Sequence, residues 1–312
     1  MKIGIIGSEE YLKLHIDIIK TISSVNLIGY YNNSDQINTN IPNSENYNIQ
    51  KFSSPQELIL NSDILYLVCS KDIQFTCAQD AIKAGKNIFI GNSLNITDEE
   101  SNKLIKLTKE AQVVSYISNK NRFDPNYISI QEKITKPLFI NIEHSKLFDK
   151  STKSTSVISD LMLEDLDIIF KTIKSPIKSI NANGATFSNN TIDIANVRIE
   201  FLNGSTANLS ANKLSNKKIH QIEFVQKDQF INVDYLNHTS QILETNKAFH
   251  DNEEPINYTE NRITITKERE IIEFEYFIDL INNRVKNTDS LEEASLTLRV
   301  SKQIIQIIKN KL

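Results

Sequence analysis

The residues nearest the start of the chain that could do chemistry form a turn between a predicted strand and a predicted helix. Lys2 to Gly7 reads as a buried parallel strand that ends in glycine. A dinucleotide-binding fingerprint, G-x-G-x-x-G, would continue from Gly7 with two further glycines, but the chain has Glu9 and Leu12 at those places. The second glycine normally lets the backbone approach a pyrophosphate, and the third lets the helix pack close to the strand. We therefore expect the fold of a nucleotide-binding unit in which the phosphate site is damaged.

A second group of candidate residues lies near the middle of the chain. Asp160 and Glu164 are four residues apart on a helix predicted over residues 160–173, so their carboxylates share one face and repel each other. Most pairs with this spacing are simply a solvated helix face. Arg122 is a candidate to position a substrate phosphate, or alternatively to pair with Asp124 or Asp165.

The histidines and cysteines predict no metal or disulfide framework. Four of the five histidines are scattered without ligand spacing, so no metal site is expected; they are His144, His220, His238 and His250. Cys69 and Cys77 are the only cysteines among 312 residues, and two reduced thiols are the simpler interpretation.

Composition excludes several classes of protein. Hydrophobic residues make up 39% and charged residues 24%, as expected for a globular chain. The formal net charge is −4 and the pI about 5.8, which argues against nucleic acid or an anionic membrane as partner. No run of about 18 apolar residues and no leader pattern is present, so the sequence predicts a cytoplasmic protein.

Strands and helices alternate over the first 120 residues. Predicted strands at residues 25–31, 64–68, 87–90 and 113–117 are separated by helices, one of which stops at Gly85 and another of which begins after Thr97. This alternation predicts an α/β fold with a doubly wound parallel sheet of the Rossmann type.

The second half has a different pattern. After the helix at residues 160–173, strand follows strand from Ile177 to Thr266, with turns at Asn189-Asn190 and Asn203-Gly204. Two helices, 270–285 and 291–309, close the chain. We therefore predict a Rossmann-type domain over residues 1–120 and, over 121–312, an α+β domain with a large, mostly antiparallel open sheet.

Four segments, in the same order along the chain as in a known family, resemble motifs of that family. They are residues 81–90, which resemble A-x-x-A-G-K-x-V-F-x; 121–125, which resemble E-R-F-N-P; 160–167, which resemble D-L-M-I-H-D-I-D; and 193–204, which resemble D-I-A-N-A-R-I-E-F-x-N-G. The chain thus resembles the Gfo/Idh/MocA oxidoreductases over nearly its whole length. The last two segments resemble the branch of UDP-N-acetylglucosamine 3-dehydrogenase-like enzymes.

The resemblance implies hydride transfer between NAD(P) and a sugar carbon, yet the chain departs from the family at the residues that chemistry needs. The positions matched to the cofactor site are Gly7, Glu9, Leu12, Asn32 and Ser70, with Asn32 in place of the ribose-binding acid. The family's E-K-P is Gly91-Asn92-Ser93, so Asn92 stands where the catalytic Lys is expected. Glu164 stands where the helix His is expected, and Gln74 replaces a further His.

Each departure has an alternative interpretation. Glu9 can turn to solvent or pair with Lys13, and Asn32 can still bind a ribose hydroxyl. Glu164 can act as a base if it is buried. Asn92 is the hardest to reconcile with catalysis, because an amide carries neither a proton to transfer nor a charge.

Several losses together favour a pseudoenzyme that retains the fold. The first hypothesis is a binding, regulatory or oligomeric partner with no NAD(P) or only weakly bound NAD(P). The alternative is an active NAD(P)-dependent oxidoreductase of a sugar or sugar nucleotide with an altered site. Expected partners are a small sugar-like ligand and a second copy bound through the C-terminal sheet, with an active paralogue as the other possible subunit.

Overall fold

The chain forms two compact units. A computed structural model describes residues 1–32, 49–91, 96–148, 155–187, 191–245, 256–262, 267–283 and 289–312. Unit 1 comprises Met1–Ser118 and Lys267–Leu296, and unit 2 comprises Asn119–Thr266 and Thr297–Leu312. The predicted division assigned everything after residue 120 to the second domain, whereas residues 267–296 group with unit 1.

Unit 1 alternates strands and helices. Its elements in chain order are β1 (Lys2–Gly7), α1 (Glu9–Lys20), β2 (Asn26–Asn32), β3 (Gln50–Lys51), α2 (Pro55–Asn61), β4 (Ile64–Val68), α3 (Lys71–Lys83), β5 (Asn87–Ile90), α4 (Asp98–Ala111), β6 (Ser115–Ile117) and α7 (Arg269–Asn282). The six strands are all parallel and run β3-β2-β1-β4-β5-β6 across the sheet. This order is that of the doubly wound Rossmann sheet, so the predicted α/β fold is confirmed.

Helix ends in unit 1 follow local sequence signals. Thr97 and Glu100 form a capping box at the start of α4, where each satisfies a backbone N–H of the other. After α3 the chain turns at Gly85, whose φ of 71° lies in the left-handed region that glycine tolerates.

Aromatic side chains attach α7 to the parallel sheet. Phe274 and Phe277 are fully buried, and their rings lie 5.1 and 5.3 Å from that of Phe89 on β5. Burying two phenylalanines stabilises this contact by about 3–6 kcal/mol. The apolar face of α7 therefore explains why a segment so late in the chain belongs to unit 1.

Unit 2 is built on one large sheet. Its strands are β7 (Phe139–Leu147), β8 (Ile177–Ala185), β9 (Ile194–Phe201), β10 (Thr206–Ser215), β11 (Ile219–Gln226), β12 (Gln229–Asp234), β13 (Thr239–Thr245) and β14 (Ile256–Arg262). They run β14-β13-β12-β11-β7-β10-β9-β8, and every pair is antiparallel except β7 with β10. The predicted large, mostly antiparallel sheet is confirmed.

The helices of unit 2 are α5 (Pro125–Ile130) and α6 (Leu163–Thr172), and α8 (Asp289–Lys309) is divided between the units at residue 297. The helix predicted over 160–173 is interrupted at its start, because Ile158–Met162 forms a π-helical turn before α6. The prediction that Asp160 and Glu164 share one α-helical turn is therefore wrong. The extra residue of the π turn changes the direction of side chains before α6 relative to those on it.

The predicted turn at Asn203-Gly204 joins β9 to β10, with Gly204 at φ 89°. The turn predicted at Asn189-Asn190 lies outside the described residues. None of the helices in the described part of the chain combines the length and apolar character needed to cross a bilayer.

Candidate functional site

The turn after β1 lies in the middle of the parallel sheet. Gly7 is in register with Asn32 on β2 and with Val68 on β4. A Cβ added to Gly7 would lie 2.6 Å from Cγ2 of Val68, so packing alone requires glycine there. Ser8 has extended dihedral angles and α1 begins at Glu9, which gives the strand-turn-helix that the sequence predicted.

Leu12 fills the position of the fingerprint's third glycine. Its side chain is fully buried, and its Cδ2 lies 3.3 Å from where a Cβ of Gly7 would be. The contact between α1 and β1 is therefore made by a leucine side chain where the fingerprint has glycine. Glu9 is the first residue of α1, but its side chain lies outside the described part of the structure.

The other predicted cofactor positions follow neighbouring strands. Asn32 ends β2 and is half-buried, and Ser70 is exposed at the N-cap of α3 after β4. Gly91 follows β5 and is buried. Because carboxyl ends of parallel strands meet at one edge, these positions share the edge at which doubly wound sheets bind ligands. Asn92 lies outside the described residues.

A buried polar pair connects α1 to β4. Nδ1 of His15 lies 2.8 Å from the phenol oxygen of Tyr66, and both side chains are buried. Burial raises the pKa of Tyr66 well above its usual value, and the charges of Glu273 and Glu270 add to that effect. Tyr66 therefore stays protonated, and His15 packs against it inside unit 1. Gln74, at the place of the family's second His, is also buried.

In unit 2 the predicted catalytic carboxylate Asp160 has a cationic partner. Nζ of Lys146 on β7 donates to Oδ1 of Asp160 at 3.2 Å, and Lys146 is about half exposed. Glu164 lies on the first turn of α6 and is half-buried. The structure thus brings Asp160 together with a lysine that the sequence had not marked as a candidate.

The carboxylate of Asp165, on α6, is hydrogen-bonded to two histidines. Oδ2 of Asp165 lies 2.9 Å from Nδ1 of His144, and Oδ1 lies 2.8 Å from Nε2 of His220. His144 on β7 and His220 on β11 are direct cross-strand partners. Their rings are stacked, with centroids 3.8 Å apart and planes inclined by 10°. We call these three residues the His-Asp-His cluster.

The His-Asp-His cluster is supported on its buried side. The ring of Tyr235 stacks on His220 at 4.4 Å, and the side-chain amide of Asn121 donates to Oδ1 of Asp165 at 3.4 Å. Burial by itself would raise the pKa of Asp165, but the two histidines beside it hold that pKa well below its usual range. Asp165 is therefore ionised in the folded protein.

The cluster corrects the expectation that the histidines are scattered. The ligand atoms of His144, Asp165 and His220 lie within 4.8 Å of one another, a grouping that could hold a metal ion. The described geometry does not fit an ion well, because a metal binds along the lone pair in the plane of each imidazole. Two nearly parallel rings cannot both direct such a lone pair at one ion without rotating. The facing nitrogens instead serve as hydrogen-bond donors to the carboxylate.

Arg122 forms a bidentate ion pair with Asp167. Its Nε donates to Oδ2 of Asp167, and its Nη2 donates to Oδ1 of the same carboxylate at 2.5 Å. Asp124 instead caps α5 by accepting from the backbone N–H of Asn126. The partner that the structure shows for Arg122 is thus Asp167, an acid that the sequence analysis had not considered. The bidentate pair with Asp167, on α6, gives Arg122 a structural role within unit 2.

The sequence contained part of the signal for the cluster. His144 and His220 occupy inward-facing positions in strands of alternating burial, so a core-facing orientation could have been predicted. Their pairing depends on which strands are neighbours, and this could not be read from spacing.

Comparison with known proteins agrees with the predicted resemblance. Residues 1–119 match the model of a family described as "Oxidoreductase family, NAD-binding Rossmann fold". A curated relative, the myo-inositol 2-dehydrogenase of Thermotoga maritima, is 24% identical over 228 residues. That alignment covers 66% of this chain and 66% of the relative, just under two thirds of its length.

Solved structures share the fold over nearly the whole chain. UDP-N-acetylglucosamine 3-dehydrogenase GnnA from Acidithiobacillus ferrooxidans is 20% identical, with a TM-score of 0.89 and coverage of 99% of this chain and 98% of that one. The dehydrogenase MviM from Clostridium difficile is 21% identical, with a TM-score of 0.83 and 99% of both chains covered. At such identities the likeness establishes the fold alone.

Proposed function

We propose that the chain, whose residues 1–119 match the model of this NAD-binding oxidoreductase family, is a Gfo/Idh/MocA family member that has lost hydride transfer and acts as a sugar-ligand-binding or regulatory subunit. The observation that carries this proposal is the burial of Leu12 against Gly7 at the turn where the family binds pyrophosphate. The buried side chain of Leu12 is part of the packing between α1 and β1. It is not a loose surface replacement that a bound cofactor could displace.

Charge at the start of α1 supports the same conclusion. A helix N-terminus attracts phosphate because its backbone N–H groups and dipole are positive there. Glu9 and Glu10 are the first two residues of α1. Acidic residues at this end stabilise the helix itself, but they repel the diphosphate of a dinucleotide.

The chemistry of hydride transfer also lacks its usual proton-transfer groups. The family's Lys position holds Asn92 and its helix His position holds Glu164. Loss of one general acid or base lowers the rate by about 10²- to 10⁴-fold. Asp160, the neighbouring candidate, is paired with Lys146.

An active NAD(P)-dependent oxidoreductase with an altered site is the second candidate. Gly7, Ser70 and Gly91 remain at the edge of the sheet that binds ligands in doubly wound folds. In this alternative, NAD(P) binds weakly and Glu164 acts as the base.

Dinucleotide binding separates the two candidates. We expect no change in the melting temperature of the full chain with NAD+, NADH, NADP+ or NADPH at millimolar concentration, since a ligand that binds the native state must stabilise it. An increase of several degrees with any one of them would contradict the pseudoenzyme. The same assay with UDP-N-acetylglucosamine, the sugar nucleotide named in the GnnA structure, should give an increase.

The open sheet of unit 2 supports the proposal of a homodimer. Four apolar side chains form a row of cross-strand neighbours on one face: Phe139, Val225, Phe230 and Leu243. The alternate residues of these strands, Ile140, Phe224, Ile231 and Ile242, are buried, so the row lies on the face opposite the core, and Val225 is 37% exposed. Light scattering should give a dimer at micromolar concentration, and Val225→Glu should shift it towards monomer. A wild-type monomer would overturn the proposed dimer.

A further inference from the structure

The ionised carboxylate of Asp165 determines which ring nitrogens carry protons. A carboxylate only accepts hydrogen bonds, so each imidazole nitrogen facing it must be an N–H. His144 therefore has its proton on Nδ1, and His220 has its proton on Nε2. In a neutral ring of His144 this leaves a lone pair on Nε2.

His144 is the accessible end of the stack. Its side chain is 15% exposed, compared with 8% for His220 and 1% for Asp165. His220 stacks both with His144 and with Tyr235, so it lies inside the stack, and His144 is the more exposed of the two histidines. No hydrogen-bond partner for Nε2 of His144 occurs within the described ranges of the chain.

The surroundings favour a particular ligand chemistry. Lys146 lies two residues after His144 on β7, and its contact with Asp160 places it on the same side of the strand. The charges of Lys146 and Asp160 balance each other. An acceptor nitrogen beside a neutralised ion pair suits a hydroxyl donor and disfavours a phosphate or carboxylate, which offer only acceptor oxygens at neutral pH.

We propose that His144 binds the ligand of unit 2, with its Nε2 accepting a hydrogen bond from a sugar-ring hydroxyl while Asp165 holds the ring in the Nδ1–H tautomer. The sugar-like nature of the ligand rests on the proposed function. Asp165 is thus a positioning residue and His144 the residue that touches the ligand. Orientation of an imidazole by a buried carboxylate is a common way to prepare its outer nitrogen for binding.

The tautomer can be tested on the chain without any ligand. Long-range ¹H–¹⁵N correlation spectra of the full protein should show His144 in the Nδ1–H form that its contact with Asp165 requires. The substitution Asp165→Asn should change the tautomer of one ring of the pair, because the amide offers one acceptor and one donor group. An Nε2–H tautomer or a doubly protonated His144 ring in the wild type would overturn the proposal.

Chemical labelling tests the contact with the ligand. Diethyl pyrocarbonate acylates the free nitrogen of neutral imidazole, so His144 should be labelled faster than the buried His15 and His220, as read by peptide mass spectrometry. Millimolar UDP-N-acetylglucosamine should slow labelling of His144. Equal labelling of the three histidines, or labelling of His144 unaffected by this sugar nucleotide, would contradict the proposal.

A matched pair of variants separates binding from structure. His144→Asn keeps a donor where Nδ1 was but removes Nε2, and it should weaken binding of UDP-N-acetylglucosamine about tenfold while leaving the melting temperature near that of the wild type. His238→Asn is the control, because His238 lies in a turn at φ 54°, which asparagine tolerates. Equal binding by both variants would overturn the proposal. Binding of a dinucleotide would overturn the proposed loss of hydride transfer, but it would not change what the two histidine variants say about binding of the sugar nucleotide.

Discussion

The phenol oxygen of Tyr66 lies 3.0 Å from the position that a Cβ on Gly91 would occupy, and its Cε1 lies 2.7 Å from it. Tyr66 cannot easily give way, because it is hydrogen-bonded to His15 and packs against the rings of Phe89 and Phe274. The family pattern has glutamate at the place of Gly91. In this chain, therefore, Tyr66 on the neighbouring strand occupies the space that a side chain at position 91 would need.

Gly91→Ala should destabilise the protein by about 1–3 kcal/mol, because the added methyl group overpacks a buried site. The free energy of unfolding in urea measures this cost. In a double-mutant cycle with Tyr66→Leu, part of the cost should disappear, because the smaller side chain leaves room for the methyl group. Strictly additive effects would show that Tyr66 is not the obstacle.

Leu12→Ala should lower the free energy of unfolding by about 2–5 kcal/mol, the usual cost of truncating a fully buried leucine. Leu14→Ala on the same helix is the matched control, since Leu14 is 52% exposed and its truncation should change stability by less than about 0.5 kcal/mol. Similar effects at both positions would contradict the packing of α1 through Leu12.

Asp165→Asn should reduce stability by about 1–3 kcal/mol at neutral pH, because it disturbs the hydrogen bonds to both histidines. The folded-state pKa of Asp165 is depressed by His220 and His144 against the effect of burial. Its contribution is therefore complete above the unfolded pKa of about 3.9 and is lost as the pH falls through the folded value.

Urea unfolding at neutral pH and below about pH 4 tests that sign, since the difference between wild type and Asp165→Asn should shrink in acid. Asp160→Asn serves as control. Its partner Lys146 is half exposed, so the substitution should cost less than about 1 kcal/mol at neutral pH. A difference for Asp165→Asn that grows in acid would be incompatible with an ionised Asp165.

Arg122→Lys should destabilise the protein by about 1–2 kcal/mol, because lysine keeps the charge but cannot donate to both oxygens of Asp167. Arg198→Lys is the comparison, since Arg198 is about half exposed and its contact with Glu200 is 3.4 Å. That change should stay within about 0.5 kcal/mol. Denaturant unfolding of both variants measures these costs. An unchanged unfolding midpoint for Arg122→Lys would show that the role of Arg122 is not structural.

Local signals in the sequence were sufficient to predict the elements and the two sheets. Strand and helix periods, the glycine that ends β1, the capping pair Thr97 and Glu100 and the turn at Gly204 all act over a few residues. The loss of two fingerprint glycines is likewise visible without a structure. For these reasons the fold class could be predicted from the sequence, and so could the placement of Gly7, Asn32 and Ser70 at the carboxyl edge of the parallel sheet.

The sequence by itself determined which residue types this protein has for chemistry, and the tertiary structure decided which of them meet. Arg122 forms its ion pair with Asp167, and Tyr66 fills the space beside Gly91. His144 and His220 came together on Asp165 because β7 and β11 are neighbours in the sheet although several strands separate them in the chain. Strand order depends on long-range packing, so spacing along the chain carries no signal for these contacts.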